Sequence, residues 1–327
     1  MYIPQSQFSL WADFIERSFL EGEFKQLIGA GVINGATSNP AIFKNAILTS
    51  NAYKEQLSTL SHLSPKGKYE AVAQFDIQSA ADILRPLYDE GDDGYVSIEV
   101  DPFLCDDAEA TIAEGIRLHN EINRPNVMIK VPATEAGYVA MEALASEGIA
   151  VNATLIFSLE QALACAKAFE RAAQKGDRVV DTVISVFVSR IDRAIDETLR
   201  SKGVKTGLSG IYNAADIYAK VEALGIPKCR VLFASTGVKG DEFRPSYYID
   251  ELLAPHSVNT APIATIEAYV AGADTRIKLP VEVKHITDHF EAVKNAGIDM
   301  KDVIDGQIRE GLESFKLAFQ EILNALE

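Results

Sequence analysis

The chain has 327 residues, 47% hydrophobic and 24% charged, which is the composition of a folded globular protein. A net charge of −16 argues against nucleic acid and anionic membranes as partners, because both require a basic face. No stretch approaches the roughly 18 apolar residues of a membrane helix, and the N-terminus lacks the pattern of a signal peptide. Since Cys105, Cys165 and Cys229 suggest no disulfide framework, we expect a cytoplasmic protein.

Eight short apolar runs, rich in β-branched and aromatic residues, are predicted to be strands, and helical stretches separate most of them. This alternation is typical of a parallel α/β fold. No GxGxxG follows the first run, which disfavours a doubly wound dinucleotide-binding sheet. The sequence therefore predicts a single (β/α)8 TIM barrel domain over residues 1–327, with additional helices. The predicted strands are Phe8–Ala12, Val32–Ala36, Tyr95–Val100, Val127–Val131, Ile149–Phe157, Val179–Val188, Val231–Ala234 and Val258–Ile263.

Two helices between the strands have recognisable ends. The apolar face that begins at Ile77 recurs at helical spacing, and Pro86 is expected to kink or end that helix. Ser158 and Gln161 have the spacing of a capping box, so a helix is predicted to begin there and to continue to Gly176.

Residues 303–326 are predicted to form a long amphipathic C-terminal helix. Its apolar positions follow a 4-3-4-3 spacing over only two heptads, which is short for a coiled coil. We expect this helix to pack on the barrel, and a subunit interface is the alternative, so the chain is expected to be a monomer or a homodimer. The apolar positions are Ile308, Leu312, Phe315, Phe319 and Ile322.

Polar residues recur near the C-terminal ends of seven predicted strands. Strands of a parallel barrel are buried on both faces, so an unpaired polar group inside them is costly. The C-terminal face is also where barrel enzymes have their active sites. The pattern therefore predicts a functional site at that face. The residues concerned are Asp13, Thr37, Asn39, Glu99, Lys130, Asn152, Thr154, Ser185, Arg190 and Ser235.

Lys130 occupies the most informative of these positions. Alternation along its strand places it on the same face as Met128, pointing into the barrel, and Pro132 ends the strand just beyond. A lysine among apolar neighbours loses the solvation of its charged form, so its free amine becomes available as a Schiff-base nucleophile. A structural ion pair with Glu99 or Asp13 is the alternative.

The neighbouring strands supply groups that such an amine would need. Asn152 and Thr154 lie two residues apart and are predicted to face the same way. Glu99 could hold a water together with Thr154, and Asp13 could take a proton from a substrate hydroxyl and return it. Two carboxylates in different environments near one cation can divide the acid and base roles.

Several segments are similar to those of a known family. Together they resemble the transaldolases, most closely the longer bacterial form. They are GATSNPAIF at 35–43, SIEVDP at 97–102, VMIKVPAT at 127–134, IAVNATLIF at 149–157, SVFVSR at 185–190 and FAST at 233–236.

The resemblance implies a (β/α)8 barrel without metal or organic cofactor. It implies a transferase of the pentose phosphate pathway that moves a dihydroxyacetone unit from a ketose phosphate, sedoheptulose 7-phosphate or fructose 6-phosphate, to an aldose phosphate. Lys130 would form the Schiff base, Glu99 and Thr154 would organise the catalytic water, and Asp13 would be the acid/base. The implied substrate-binding residues are Thr37, Asn39, Asn152 and Ser185 for the donor fragment, Phe187 as a pocket wall, and Arg190 with Ser235 for the phosphate.

The chain departs from the family pattern at the phosphate end. Many members have an arginine closely after the serine that matches Ser235, whereas this chain continues Thr236-Gly237-Val238-Lys239. The second cation is therefore absent or is Lys239, which cannot form the bidentate fork of arginine.

Two other functions remain open at this stage: a Schiff-base aldolase that releases free dihydroxyacetone, and a sugar-phosphate-binding barrel in which Lys130 is merely ion-paired. A metal site is not predicted. His285 and His289 have an i, i+4 spacing but lack an HExxH motif and an obvious third ligand.

Overall fold

The computed structural model describes residues 2–272 and 274–327. Eight parallel strands close into a barrel in chain order, β1 to β8, which confirms the predicted (β/α)8 architecture. The strands are β1 (Ser9–Ala12), β2 (Gly35–Thr37), β3 (Tyr95–Glu99), β4 (Val127–Pro132), β5 (Val151–Ile156), β6 (Thr182–Phe187), β7 (Cys229–Ala234) and β8 (Ser257–Ala261).

Helices surround the barrel, and within the described residues none is long and apolar enough to cross a membrane. They are α1 (Arg17–Glu21), α2 (Glu23–Gly29), α3 (Pro40–Thr49), α4 (Lys54–Thr59), α5 (Pro65–Asp89), α6 (Ala108–Ile122), α7 (Glu135–Ser146), α8 (Leu159–Lys175), α9 (Ser189–Ser201), α10 (Ser209–Glu222), α11 (Tyr247–Glu251), α12 (Ile263–Gly272), α13 (Val283–Asn295) and α14 (Met300–Ala325), with short 3-10 turns at Pro4–Ser6, Asn51–Tyr53 and Pro102–Leu104.

All eight strands differ from their predicted limits by one to three residues, and two of these differences have a clear local cause. Strand β2 begins three residues later than predicted, because the amide of Val32 donates to the carbonyl of Leu27 at 2.9 Å and so closes the end of α2. Strand β8 ends at Ala261, because Pro262 has no amide for the ladder and α12 begins at Ile263.

Pro86 was predicted to kink or end its helix, and the helix does not end there, whereas the predicted capping box is confirmed. Helix α5 continues through Pro86 to Asp89. Pro86 lies in the last turn, where it removes a single helical hydrogen bond. The side chain of Ser158 accepts from the amide of Gln161 at the start of α8, and that helix ends at Lys175, next to Gly176.

The C-terminal helix packs on the barrel, as predicted, and contacts α3, α5, α9 and β5. It begins at Met300, three residues before its predicted start, because Asp299 caps it by accepting from the amide of Lys301 at 2.8 Å. Its buried Phe315 reaches the C-terminal ends of the strands, so the helix forms one wall of the barrel mouth.

A buried polar network closes the opposite end of the barrel. Trp11 Nε1 donates to Asp93 at 2.9 Å, and Arg230 pairs with the same carboxylate at 2.6 Å. Because these charges are paired and hydrogen-bonded, they are satisfied despite burial.

Candidate active site

A pocket of about 190 Å³ lies at the C-terminal ends of the strands. Ten of the twelve predicted site residues line it: Asp13, Thr37, Asn39, Lys130, Asn152, Thr154, Ser185, Phe187, Arg190 and Ser235. A larger cavity of about 700 Å³ lies beside α13 and the start of α14, but among the described residues none of the predicted site residues lines it. The strand-end pocket is therefore the candidate active site.

Lys130 lies inside this pocket with its side chain only 6% exposed. Its Nζ donates to the backbone carbonyl of Ser38 at 2.9 Å and lies 3.4 Å from Glu99 Oε2. The ring of Phe315 faces the same amine, with its centroid 5.7 Å from Nζ. The amine is thus held by two polar contacts and one aromatic face.

Glu99 pairs with Lys130 across neighbouring strands, and its side chain is 4% exposed. Burial raises the pKa of Glu99 to about 7; the charge of Lys130 opposes this shift and that of Asp13 adds to it. Neither carboxylate oxygen of Glu99 has a hydrogen-bond partner among the described residues. Near neutral pH, both protonation states of this group are therefore accessible.

Asp13 follows β1 and is the second carboxylate of the site. Burial raises its pKa, while the charge of Lys130, a hydrogen bond from Thr37 and the charge of Arg190 lower it. The hydroxyl of Thr37 donates to Asp13 at 2.7 Å and lies 2.7 Å from the hydroxyl of Thr260. The two carboxylates consequently have different surroundings, one ion-paired and one hydrogen-bonded.

Strands β3, β5 and β6 place an amide and two hydroxyls at the same level of the barrel. Asn152 Nδ2 donates to Ser97 Oγ at 3.0 Å, and Ser185 Oγ donates to Asn152 Oδ1 at 2.6 Å. Two residues further along β5, the buried hydroxyl of Thr154 has no partner among the described residues. A bulge and a positive φ of 58° at Leu155 follow directly, and such local strain clusters at functional sites.

Arg190 stands at the mouth of the pocket, in the first turn of α9. Burial lowers its pKa, and the neighbouring charge of Arg193 lowers it further. The guanidinium carbon lies 5.3 Å from the ring centroid of Phe187, and Arg190 forms no ion pair with any described residue. Ser189, which precedes it, shares a 3.1 Å hydroxyl contact with Ser235. An uncommitted cation beside hydroxyl groups suits an anionic ligand.

Glu99 and Lys239 are the two predicted residues that do not line the pocket. Glu99 still reaches Lys130, as described above. Lys239 is exposed and lines a neighbouring cavity of about 180 Å³ with Ser189 and Arg193. The structure thus separates Lys239 from the other predicted site residues, and its role in phosphate binding stays a prediction.

The sequence did not identify Thr260, Ser314 or Phe315 as pocket residues. Thr260 lies near the end of β8 and could have been recognised as the polar strand-end residue of the eighth strand. Ser314 and Phe315 belong to α14, and no sequence signal showed that this helix lies against the mouth. Asn39 has a second role that the sequence did not indicate, because its Oδ1 caps α3 by accepting from the amide of Ile42 at 3.0 Å.

The histidine pair at the start of α13 has other contacts. His289 is buried, and its Nε2 lies 2.8 Å from Ser209 Oγ, while His285 is exposed. Across residues 2–272 and 274–327, no group of three or more His, Cys, Asp or Glu side chains is arranged to hold a metal ion.

The family model of transaldolase/fructose-6-phosphate aldolase matches residues 10–326. The chain is 44% identical over 335 residues to a transaldolase of Campylobacter jejuni subsp. jejuni serotype O:6, covering 98% of this chain and 99% of that relative. It is 42% identical over 320 residues to a transaldolase of Helicobacter pylori strain Shi470, with the same coverage. With the barrel and the strand-end pocket, these matches show that the chain belongs to the transaldolase/fructose-6-phosphate aldolase family of enzymes.

Proposed function

We propose that this enzyme transfers a dihydroxyacetone unit from sedoheptulose 7-phosphate or fructose 6-phosphate to an aldose phosphate, through a Schiff base on Lys130. The observation that carries the proposal is the amine of Lys130, buried in the pocket 3.4 Å from a carboxylate whose pKa is raised to about 7. A pathway that interconverts pentose phosphates requires such a transfer. The two relatives reported above are both named transaldolases, which supports this function over that of an aldolase.

Imine formation requires a neutral amine and a proton for the departing oxygen. Lys130 can pass a proton to Glu99, and the free amine then adds to the ketose carbonyl. When the carbinolamine expels its hydroxyl group, Glu99 returns the proton and the oxygen leaves as water, so that a cationic imine remains. The unpartnered hydroxyl of Thr154 supports a role in holding this water together with Glu99.

Cleavage of the carbon–carbon bond requires a base at the adjacent sugar hydroxyl. Asp13, which is half-buried and linked to Thr37, takes that proton while the bond electrons move into the cationic imine. An aldose phosphate leaves and a neutral enamine stays on Lys130. The same steps in reverse join the three-carbon fragment to the acceptor, and Asp13 returns its proton to the new hydroxyl.

The remaining pocket residues would bind the substrate. The linked side chains of Asn152 and Ser185, with Thr37 and Asn39, would bind the hydroxyls of the three-carbon fragment, while Phe187 forms a wall. Arg190 and Ser235 would bind the phosphate, and Lys239 would add a second positive charge from outside the pocket.

The three free, buried cysteines support a cytoplasmic location, where thiols stay reduced. We propose sugar phosphates as the substrates and a monomer or homodimer as the assembly.

The test is a coupled assay with fructose 6-phosphate in the presence and absence of erythrose 4-phosphate. A transferase forms sedoheptulose 7-phosphate at a rate well above that of free dihydroxyacetone release. If free dihydroxyacetone appears as fast without the acceptor, the enzyme is an aldolase instead.

A further inference from the structure

Behind Glu99, on the side away from the substrate, lies a second small cavity between β3, α5, α6 and α14. Its volume is about 10 Å³, the lower limit for one water molecule. Glu99 and Tyr69 both line it, and both are buried. Among the described residues, Glu99 lines this cavity and does not line the substrate pocket.

The outer side of this cavity is a group of ion pairs, here named the Lys66 cluster. Lys66 Nζ lies 2.7 Å from Asp101, 3.2 Å from Glu114 and 3.9 Å from Glu70. Arg117 pairs with Glu70 at 2.6 Å and with Glu114 at 2.7 Å. The cluster consists of Lys66, Glu70, Asp101, Glu114 and Arg117. Lys66 and Arg117 are 36% and 35% exposed in their side chains, so the cluster is open to solvent.

Tyr69 connects the two sides. Its ring is fixed by edge contacts with Phe43 and Phe319, at centroid distances of 5.9 and 5.1 Å. Its hydroxyl has no hydrogen-bond partner among the described residues. Burial and the nearby charges of four carboxylates raise the pKa of Tyr69, and these carboxylates are Glu99, Glu70, Asp101 and Glu114. The hydroxyl therefore stays protonated and lies within electrostatic reach of both the catalytic carboxylate and the cluster.

We propose that Glu99 exchanges its proton with solvent through this rear cavity, by way of the Tyr69 hydroxyl and the carboxylates of the Lys66 cluster. The Glu99 carboxylate is 4% exposed, its Oε2 is ion-paired with Lys130, and neither of its oxygens has a hydrogen-bond partner among the described residues, so it gives the cavity a proton donor or acceptor on its inner side. Glu99 passes its proton to the Tyr69 oxygen, directly or through one water, while Tyr69 passes its own proton to a cluster carboxylate. Only O–H bonds form and break, and the reverse transfer restores each group.

This inference rests on the proposed function, because it takes Glu99 as the acid/base beside Lys130. It adds a reason for the position of Glu99. Glu99 returns the proton that it takes from Lys130, so imine formation itself needs no exchange with solvent. The rear route instead lets Glu99 release a proton that it already holds when the substrate enters, since only the ionised carboxylate can take the proton of Lys130. The charged and titratable groups facing Glu99 are Lys130 and Asp13 in front, and the neutral Tyr69 with the Lys66 cluster behind.

The test uses the full-length Tyr69→Phe enzyme, which loses one oxygen and keeps the ring. Tyr218→Phe is the matched control, because Tyr218 is 6% exposed against 7% for Tyr69 and its hydroxyl donates to the carbonyl of Pro255 at 2.7 Å. For Tyr69→Phe we expect kcat to fall roughly tenfold, less than for loss of a direct proton donor. The KM for fructose 6-phosphate should stay unchanged, and the solvent deuterium isotope effect on kcat should rise.

The control should match the wild type. The proposal is overturned if Tyr69→Phe keeps the wild-type kcat and isotope effect, or if both variants lose kcat equally. Glu114→Gln, at the solvent side, provides a second test should Tyr69→Phe not fold. It should raise the isotope effect in the same direction, and an unchanged value overturns the route. Borohydride trapping on wild-type Lys130 distinguishes failure of the proposed function from failure of the proton route. If no adduct is trapped, the Schiff base itself is refuted. If the adduct is trapped but Tyr69→Phe behaves like the wild type, only the proton route is refuted.

Discussion

Replacing Arg190 by alanine should selectively damage the use of phosphorylated substrates. The guanidinium is partly buried at the pocket mouth and has no ion pair among the described residues, so its charge is available to the ligand. A hydrogen bond to a charged group contributes roughly 1.5–3 kcal/mol, and about 1.4 kcal/mol corresponds to a factor of ten. We therefore expect kcat/KM for fructose 6-phosphate to fall roughly ten- to hundredfold.

The assay compares kcat/KM for fructose 6-phosphate with that for fructose, in Arg190→Ala and in Arg190→Lys. Fructose should be affected less than about threefold, since no charge-assisted bond is lost, and lysine should restore part of the loss as a point charge. Arg193→Ala is the matched control, because Arg193 is exposed one helical turn further along α9. Equal losses for both sugars would refute the phosphate role of Arg190.

Three further predictions concern single residues. Burial raises the pKa of Glu99 to about 7, so lowering the pH through 7 protonates Glu99 and prevents it from taking the proton of Lys130. We therefore expect kcat/KM to fall on the acid side with a midpoint near 7. Glu99→Gln should lose this acid-side fall, and an identical fall in the variant would contradict the role of Glu99 as the proton acceptor. Asp13→Asn should still form a borohydride-trapped adduct with fructose 6-phosphate but lose transfer at least about a hundredfold, as expected for removal of a general base; retained transfer would exclude Asp13 as the base. Lys239→Ala should raise the KM for fructose 6-phosphate less than Arg190→Ala does, and only at low ionic strength, because the exposed charge of Lys239 is screened; a salt-independent loss as large as that of Arg190→Ala would place Lys239 in direct contact with the phosphate.

The barrel was predictable because its strands repeat a simple physical pattern. The alternation around Lys130 and the stop at Pro132 depend only on local chain geometry, and the structure places this amine in the pocket. The start of β2 was not predictable from the apolar run, because the backbone amide of Val32 closes the end of helix α2. That α5 does not end at Pro86 was not predictable, because the cost of a proline depends on its position in the last turn and therefore on where the helix ends.

The missing parts of the site come from contacts distant in sequence. Phe315 follows Lys130 by 185 residues in the sequence and contacts it only because α14 packs across the mouth of the barrel. No local sequence pattern predicts that packing. Gly311, one turn earlier, lies close against β5: a Cβ there would lie 3.1 Å from Leu155 Cδ2, and that side chain would have to shift. The link between Glu99 and Tyr69 likewise depends on the packing of α5 against β3.

The central claim, that Lys130 forms a Schiff base with the donor ketose, is tested most directly by trapping with borohydride. Wild-type enzyme reduced in the presence of fructose 6-phosphate should gain the mass of a reduced three-carbon or six-carbon adduct, located on Lys130 by peptide mass spectrometry, and should lose activity in parallel. Lys130→Met should gain no such mass. An unmodified Lys130 in fully active enzyme after reduction, or an adduct located on another lysine, would contradict the mechanism.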